Sequence, residues 1–339
     1  MRDVLQTLER WAAEGRRVAV ATVVEREGSA PRDPGASLAV DERGELAGSV
    51  TGGCVEPAVI REANEVLAGG PARICRYGIA DADAFEVGLS CGGTVAIAVF
   101  ALDPSVVAPL ADAVAEDRPA ALTLRLDGER AGEQRVVSPD SDDPEDAPAR
   151  ELLALGESGT VTAPDGGLLF VESYAPRPAM YVFGAVDHAA ALVAVGKFLG
   201  YRVTVCDARR AFVTPERFPD ADELVVEWPD RFLESAPVDA RTAICVLTHD
   251  QKFDLPVLQA ALRTPARYIG AMGSRKTTEE RAQRLREAGV GEDDLARIHA
   301  PIGIPIGARS PEEVAVAVAA ELIQAASRSR SRAAAPLSA

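Results

Sequence analysis

Lysine is nearly missing from this sequence: Lys197, Lys252 and Lys276 are the only three in 339 residues. Arginine carries most of the basic charge, and 36 Lys+Arg against 52 Asp+Glu leave a formal net charge of −16. So acidic a chain lacks the basic stripe that grips a polyphosphate backbone, which argues against nucleic acid as a partner. No apolar run comes near the ~20 residues that span a bilayer. The start, MRDVLQTLERWAAEGRR, alternates charged and apolar residues as a surface helix does, so the expectation is a soluble, unexported protein. Cysteine is sparse too. Cys54, Cys75, Cys91, Cys206 and Cys245 are odd in number, far apart and never in a C-x-x-C pair, which argues against a disulfide framework and a zinc knuckle. Such thiols fit a reducing cytoplasm. His188, His249 and His299 are equally scattered and show no metal spacing.

What is present is globular material: 47% hydrophobic and 26% charged residues, at a length that predicts roughly two domains. Residues 1–174 read as a mixed α/β domain. It opens with a helix over 1–16, then strands at 18–24, 36–40 and 45–50, a helix over 55–67, strands at 72–79 and 94–100, a short helix from Pro104 and a strand at 120–126. The acidic, Pro- and Ser-rich stretch 138–149 is expected to be a solvated loop. YAPRP, 174–178, marks the domain boundary. Residues 179–326 then alternate apolar strands with amphipathic helices, which implies a parallel sheet wound on both faces, a Rossmann-like domain. Ser310-Pro311-Glu312-Glu313 caps a closing helix that is expected to run to about Ala326. The tail, 327–339, is expected to be disordered.

The sharpest local feature is GSVTGGCVEPAVIREA, where a strand gives way through Gly52, Gly53 and Cys54 to a helix. Unpaired N–H groups and partial positive charge at a helix start bias a nearby thiol toward thiolate, and the two glycines admit a ligand close to the backbone. The alternative is a small buried cysteine in a tight turn. A mirrored element, GLSCGG with Cys91, precedes the strand TVAIAVF, so Cys54 and Cys91 are expected to face one cavity. A third loop, EGSAPRDPG, offers Ser29 and Arg32. Arginine there can clamp a phosphate or carboxylate bidentately, or be an ordinary surface cation.

In the second segment the loop after the first strand reads Gly184-Ala185-Val186-Asp187. The middle glycine of a dinucleotide loop is replaced by branched Val186, and Asp187 adds negative charge, so both sterics and electrostatics oppose the usual pyrophosphate mode. Asp207, at the end of the next strand, stands where a ribose-binding acid belongs, with Arg209 behind it. GSRKTTEE places Gly273, Ser274, Arg275 and Lys276 between a strand end and a helix start, where a phosphate can dock or an ordinary cap can form. His249-Asp250 also follows a strand end.

ATVVEREGSAPRDPGASLAV, GSVTGGCVEP, GLSCGG, YIGAMGSRK and APIGIPIGARSPEEVAVAVAAELI, in that order, resemble the XdhC family of xanthine dehydrogenase accessory factors over nearly the whole chain. That resemblance implies a maturation chaperone and not a turnover enzyme. Its members are expected to bind molybdenum cofactor transiently, protect it while a sulfido ligand is installed, and pass it to a molybdenum hydroxylase. It also implies a cysteine desulfurase partner and a homodimer. Under this reading Cys54, and second Cys91, would contact molybdenum or carry sulfur, a thiolate being a soft ligand. Arg32 and the Gly52/Gly53 backbone would hold the phosphate or pterin. Glu56 follows the cysteine in the family's GGCVE motif, but a carboxylate in the first helical turn also stabilises the helix dipole. The 184–187 loop departs from the family's glycine-richer pattern, which puts a nucleotide there in doubt. Two other functions remain open: an NAD(P)-dependent oxidoreductase using the parallel sheet, and an assembly scaffold that holds no cofactor.

Overall fold

The computed structural model describes residues 1–29, 32–78, 93–248 and 250–333, with side chains at all of these except 251 and 328–333. The chain divides into two compact units, Met1–Pro176 and Arg177–Ser331. Among the described residues no helix is long and apolar enough to cross a membrane.

The first unit holds two antiparallel sheets. Helix α1 (Leu5–Ala13) leads into strand β1 (Val18–Glu27), followed by β2 (Ser37–Asp41), β3 (Leu46–Gly48), helix α2 (Glu56–Leu67), β4 (Arg73–Tyr77) and β5 (Thr94–Ala101). The strand order is β3-β2-β1-β5-β4, with antiparallel neighbours throughout. β1 is buried for most of its length because both faces of the sheet are covered, and so its sequence reads as a continuous apolar run. Ala19, Ala21 and Val23 meet Val59, Ala63 and Val66 of α2 in one core. Val18 and Val20 meet Leu8 and Trp11 of α1 in the other.

That second core is shared with the next sheet. Helix α3 (Val107–Ala115), β6 (Ala120–Arg125), β7 (Gln134–Val137), helix α4 (Ala147–Leu155), β8 (Gly159–Thr162) and β9 (Leu168–Tyr174) follow, in sheet order β7-β6-β9-β8. Leu110 of α3, Leu122 and Leu124 of β6 and Phe170 and Tyr174 of β9 join the α1 residues. By the transfer scale each fully buried side chain of this size contributes ~1.5–3 kcal/mol before conformational entropy is subtracted.

The acidic stretch differs from expectation. Residues 138–149 are ordered by a 3-10 turn (Pro144–Asp146) and the start of α4. Asp143 accepts from the Glu145 N–H at 2.9 Å and buried Asp146 from the Ser141 hydroxyl at 2.6 Å. Arg135 lies 2.9 Å from Asp143, and Arg130 lies 3.2 Å from Glu145, so local arginines offset the charge that made the stretch look like a solvated loop.

The second unit is a six-stranded parallel sheet in the order β12-β11-β10-β13-β14-β15. Its elements are β10 (Ala179–Phe183), α5 (Asp187–Phe198), β11 (Arg202–Cys206), β12 (Glu223–Val225), α6 (Pro229–Ser235), β13 (Ala243–Val246), α7 (Gln251–Leu262), β14 (Tyr268–Ala271), α8 (Arg275–Glu287), α9 (Glu292–Leu295), β15 (Ile298–His299) and α10 (Pro311–Ala333). The chain starts in the middle of this sheet, builds outward through β11 and β12, then crosses to β13 and builds the other way. This is the doubly wound order, with its switch point between β10 and β13. Helix α10 runs to Ala333, past the Ala326 expected from sequence, so 327–333 are helical and not a disordered tail; 334–339 lie outside the described residues. Arg and Ala are good helix formers, and arginines near a C-terminus favour the dipole.

Candidate functional site

Sheet register decides whether the three loops marked in the sequence come together. β1 is antiparallel to β2 and β5, with Thr22 opposite Ser37 and Glu27 opposite Thr94. Leu38 stands opposite Gly48, and Tyr77 opposite Val95. The C-terminal ends of β1, β3 and β4 and the N-terminal ends of β2 and β5 therefore lie along one edge of the sheet. The Ser29–Arg32 loop, the Gly52–Cys54 loop and the connection from β4 to β5 all leave from that edge. Cys91 lies outside the described residues, as does His249.

The Gly52–Cys54 loop is organised by Glu56, the first residue of α2. One carboxylate oxygen accepts from the Ser49 hydroxyl at 2.6 Å and from the Thr51 and Gly52 N–H groups at 2.9 Å each. The other accepts from the Thr51 hydroxyl and the Gly53 N–H, both at 2.8 Å. Gly52 and Gly53 sit at φ of 92° and 128°, backbone that L side chains rarely adopt, and this conformation turns successive N–H groups toward one acceptor. Burial alone would raise the Glu56 pKa, but these hydrogen bonds outweigh it and hold the carboxyl at about 2. The Gly52 and Gly53 amides, expected to hold the phosphate or pterin, here donate to the protein's own Glu56 carboxylate.

Cys54 is exposed at the rim of this loop, two residues before α2. The other described cysteines contrast with it. Cys206 and Cys245 are buried, with thiols pushed up to about 12 by burial, and burial also raises half-buried Cys75. A raised pKa keeps a thiol protonated and inert. Arg32 forms an exposed ion pair with Asp3, and Ser29 is exposed. Arg32 therefore engages another anion only by leaving Asp3, at small cost for an exposed pair.

Arg26 and Tyr77 escaped the sequence reading. Both stand opposite Val95, in one row across β1, β5 and β4. Paired residues share a face, and Val95 belongs to the core under α2. Arg26, 42% exposed and 3.0 Å from Asp33, thus brings a second guanidinium to the edge that carries Cys54. Its signal was the charged end of an otherwise apolar strand.

In the second unit the expected nucleotide residues are turned on one another. Asp207, 2% exposed, accepts from the Ala185 N–H at 2.9 Å and from the Arg209 N–H and Nε, both at 2.9 Å, with Arg209 Nη2 at 2.7 Å. Burial opposes its charge, but the guanidinium and the backbone donors hold its carboxyl below the usual range. Arg217, which the sequence did not point to, donates to the Ala185 carbonyl at 3.0 Å and to Asp187 at 3.2 Å. The loop after β10 is therefore tied down on both its N–H and C=O sides. Gly184 has φ 107°, and a Cβ there would lie 2.8 Å from Thr248 Cγ2 and 3.0 Å from the Thr248 nitrogen. Its role is close approach of β10 to β13. Gly184→Ala should lower stability by about 2 kcal/mol, read as a shift in urea midpoint at unchanged m-value. An unchanged midpoint would show that the contact is relieved at no cost.

Ser274 and Arg275 stand at the start of α8, where the Ser274 hydroxyl accepts from the Thr277 N–H at 3.1 Å. No group of three or more His, Cys, Asp or Glu among the described residues has metal-holding geometry.

An antiparallel unit with Gly-Gly-Cys at its loop edge, followed in the chain by a unit with Rossmann strand order, defines the class to which this protein belongs. Residues 180–322 match the XdhC Rossmann domain and residues 11–78 match the XdhC and CoxI family. The chain belongs to the XdhC family. It is 31% identical over 324 residues to the molybdenum cofactor insertion chaperone PaoD of Escherichia coli K12, covering 94% of this chain and 88% of that protein. It is 26% identical to a probable xanthine dehydrogenase subunit of Bacillus subtilis 168, covering 91% of this chain and 93% of that one. A crystal structure of a xanthine dehydrogenase from Bacillus halodurans superposes with a TM-score of 0.64 at 26% identity, covering 98% of both chains.

Proposed function

We propose that this protein is a maturation chaperone that carries molybdenum cofactor as cargo and delivers it to a molybdenum hydroxylase of the xanthine dehydrogenase type. The observation that carries this reading is the exposed Cys54 thiol on a loop whose backbone is fixed from beneath by Glu56. The role of the PaoD relative, insertion of molybdenum cofactor, supports it at 31% identity. Molybdenum in the cofactor is a soft centre that favours thiolate sulfur. Cys54 supplies that donor, and the Gly52–Gly53 backbone leaves the approach bare of side chains. Arg26 and Arg32 stand on the same edge as cations for the cargo's anionic end. Cys91 belongs to the same proposed site, as the second thiol.

The self-paired Asp207 and Arg209 weigh against the oxidoreductase reading, since a ribose would have to compete with a half-exposed guanidinium that already holds the buried Asp207 carboxylate bidentately. We further propose a cysteine desulfurase as the sulfur-donating partner and a homodimer as the working form. The test is anaerobic purification of the full chain from a molybdenum-replete host, with molybdenum and oxidised pterin fluorescence measured per chain. Near-stoichiometric cofactor is expected. Neither metal nor pterin, together with saturable binding of a dinucleotide, would overturn the proposal in favour of the oxidoreductase. No cofactor and no dinucleotide, with undiminished hydroxylase maturation, would favour the scaffold.

A further inference from the structure

Arg281 is the most deeply enclosed arginine at the carboxyl edge of the parallel sheet, 6% exposed, on the second turn of α8. Its Nη2 donates to Asp254 at 2.9 Å and to the Met272 carbonyl at 2.8 Å. Asp254 is 3% exposed and also accepts from the Thr248 hydroxyl, so the chain Thr248–Asp254–Arg281–Met272 links the ends of β13 and β14. The other terminal nitrogen, Nη1, is buried and has no hydrogen-bond partner, and the same holds for the Thr278 hydroxyl on the first turns of the helix. An orphaned guanidinium N–H is costly, ~1–3 kcal/mol or more for a charged donor, and such a group calls for an acceptor.

The surroundings of α8 show what acceptor fits. The first turn of this 13-residue helix contains no acidic residue and begins with Arg275 and Lys276. Cations at a helix N-terminus oppose the macrodipole, the reverse of what stability favours. Lys276 reaches Glu280 only at 3.9 Å, an exposed contact that does little to offset this. Gly273 has no side chain between the loop and the guanidinium: a Cβ there would lie 3.2 Å from Thr277 and 3.6 Å from Arg281 Nη2. The helix dipole and two exposed cations thus stand at the same loop as the enclosed guanidinium, whose Nη2 lies 3.6 Å from where a Gly273 Cβ would be.

We propose that the start of α8, with Gly273, Ser274, Arg275 and Lys276 above Arg281, binds a phosphate or diphosphate group. It takes the anion at the β14 side of the sheet, while the loop after β10 is closed by Asp207, Arg209 and Arg217. This site lies within the second unit and is independent of whether Cys54 holds molybdenum cofactor.

The experiment is calorimetric titration of the full chain with pyrophosphate, and separately with ADP, in chloride buffer at fixed ionic strength. One saturable site is expected for pyrophosphate. Arg275→Ala/Lys276→Ala should weaken it at least tenfold, about 1.4 kcal/mol, and so should Gly273→Ala. A control, Arg231→Ala/Arg263→Ala, removes two exposed charges elsewhere in this unit and should leave the affinity within twofold. Arg281→Lys tests the enclosed donor directly. Should that variant misfold, Gly273→Ala and the exposed double variant still decide the question. ADP binding more tightly than pyrophosphate identifies a nucleotide as the source of the anion, and equal affinities identify a bare phosphate group; either supports the site. No saturation by ~10 mM, a range far weaker than ordinary ligand affinities, or equal weakening by the control, overturns it.

Discussion

Glu56→Gln should cost roughly 2–3 kcal/mol of stability and leave the Cys54 loop without a fixed conformation. The carboxylate accepts five hydrogen bonds from Ser49, Thr51, Gly52 and Gly53, and a carboxamide supplies one acceptor oxygen and turns an NH2 group against the remaining donors. Hydrogen bonds to a charged group contribute ~1.5–3 kcal/mol each when fully enclosed, but water replaces part of the loss here because the loop is exposed at Gly52 and Gly53. The acid limb carries the same signature. The folded-state pKa of Glu56 is about 2 against an ordinary 4.5, a depressed value. Its contribution is therefore fully present above pH 4.5 and is lost as pH falls from there toward 2. Urea midpoints of wild type and Glu56→Gln, measured from pH 7 to pH 2.5, should converge on acidification. A constant difference between the two across that range would show that the charge on Glu56 does not hold the loop.

Cys54→Ala should do the opposite, leaving the fold intact and removing the cargo. The side chain is exposed, so truncation should stay within ~0.5 kcal/mol, the usual range for surface substitutions. If the thiolate is the metal contact, bound molybdenum and pterin per chain should fall at least tenfold while the urea midpoint holds. Cys75→Ala is the matched control, since that thiol is half-buried and held protonated by its surroundings. Loss in both variants would indicate a packing effect and remove Cys54 from the assignment. Retention in both, with undiminished maturation of the hydroxylase, would leave the chain a scaffold.

Much of this was legible in the sequence because it depends on local rules. β10, β11, β13 and β14 are short apolar runs bounded by turn residues, which is how strands covered on both faces read. Gly-Gly-Cys before an amphipathic helix announced a tight turn at a helix start. What stayed hidden depends on distance in sequence. β7 and β8 have four residues each, too few to show a period, and β8 pairs with β9 only after a turn. The 138–149 stretch looked like a solvated loop because the arginines that offset its acids come from outside it. Arg281 sits in a helix charged on most sides, and nothing local distinguishes it from Arg284 or Arg286. Only the strand order, which brings Met272 and Asp254 to it, singles it out. The Glu56 nest lay between these extremes. A structural role for that carboxylate was readable from its place in the first turn, but the donors that converge on it were not.

The Glu56 nest also bears on how the proposed site chooses its cargo. A carboxylate tethered three residues from the amides it fills cannot diffuse away, so it stays at high effective concentration whatever the solution contains. Free phosphate, sulfate and nucleotides, abundant in any cell, therefore compete poorly for the most anion-attracting backbone on this edge. Selection passes instead to the one feature there that common metabolites do not satisfy, an exposed sulfur. If Cys54 is the metal contact, such a loop would discriminate first by softness, with charge left to Arg26 and Arg32 at the same edge.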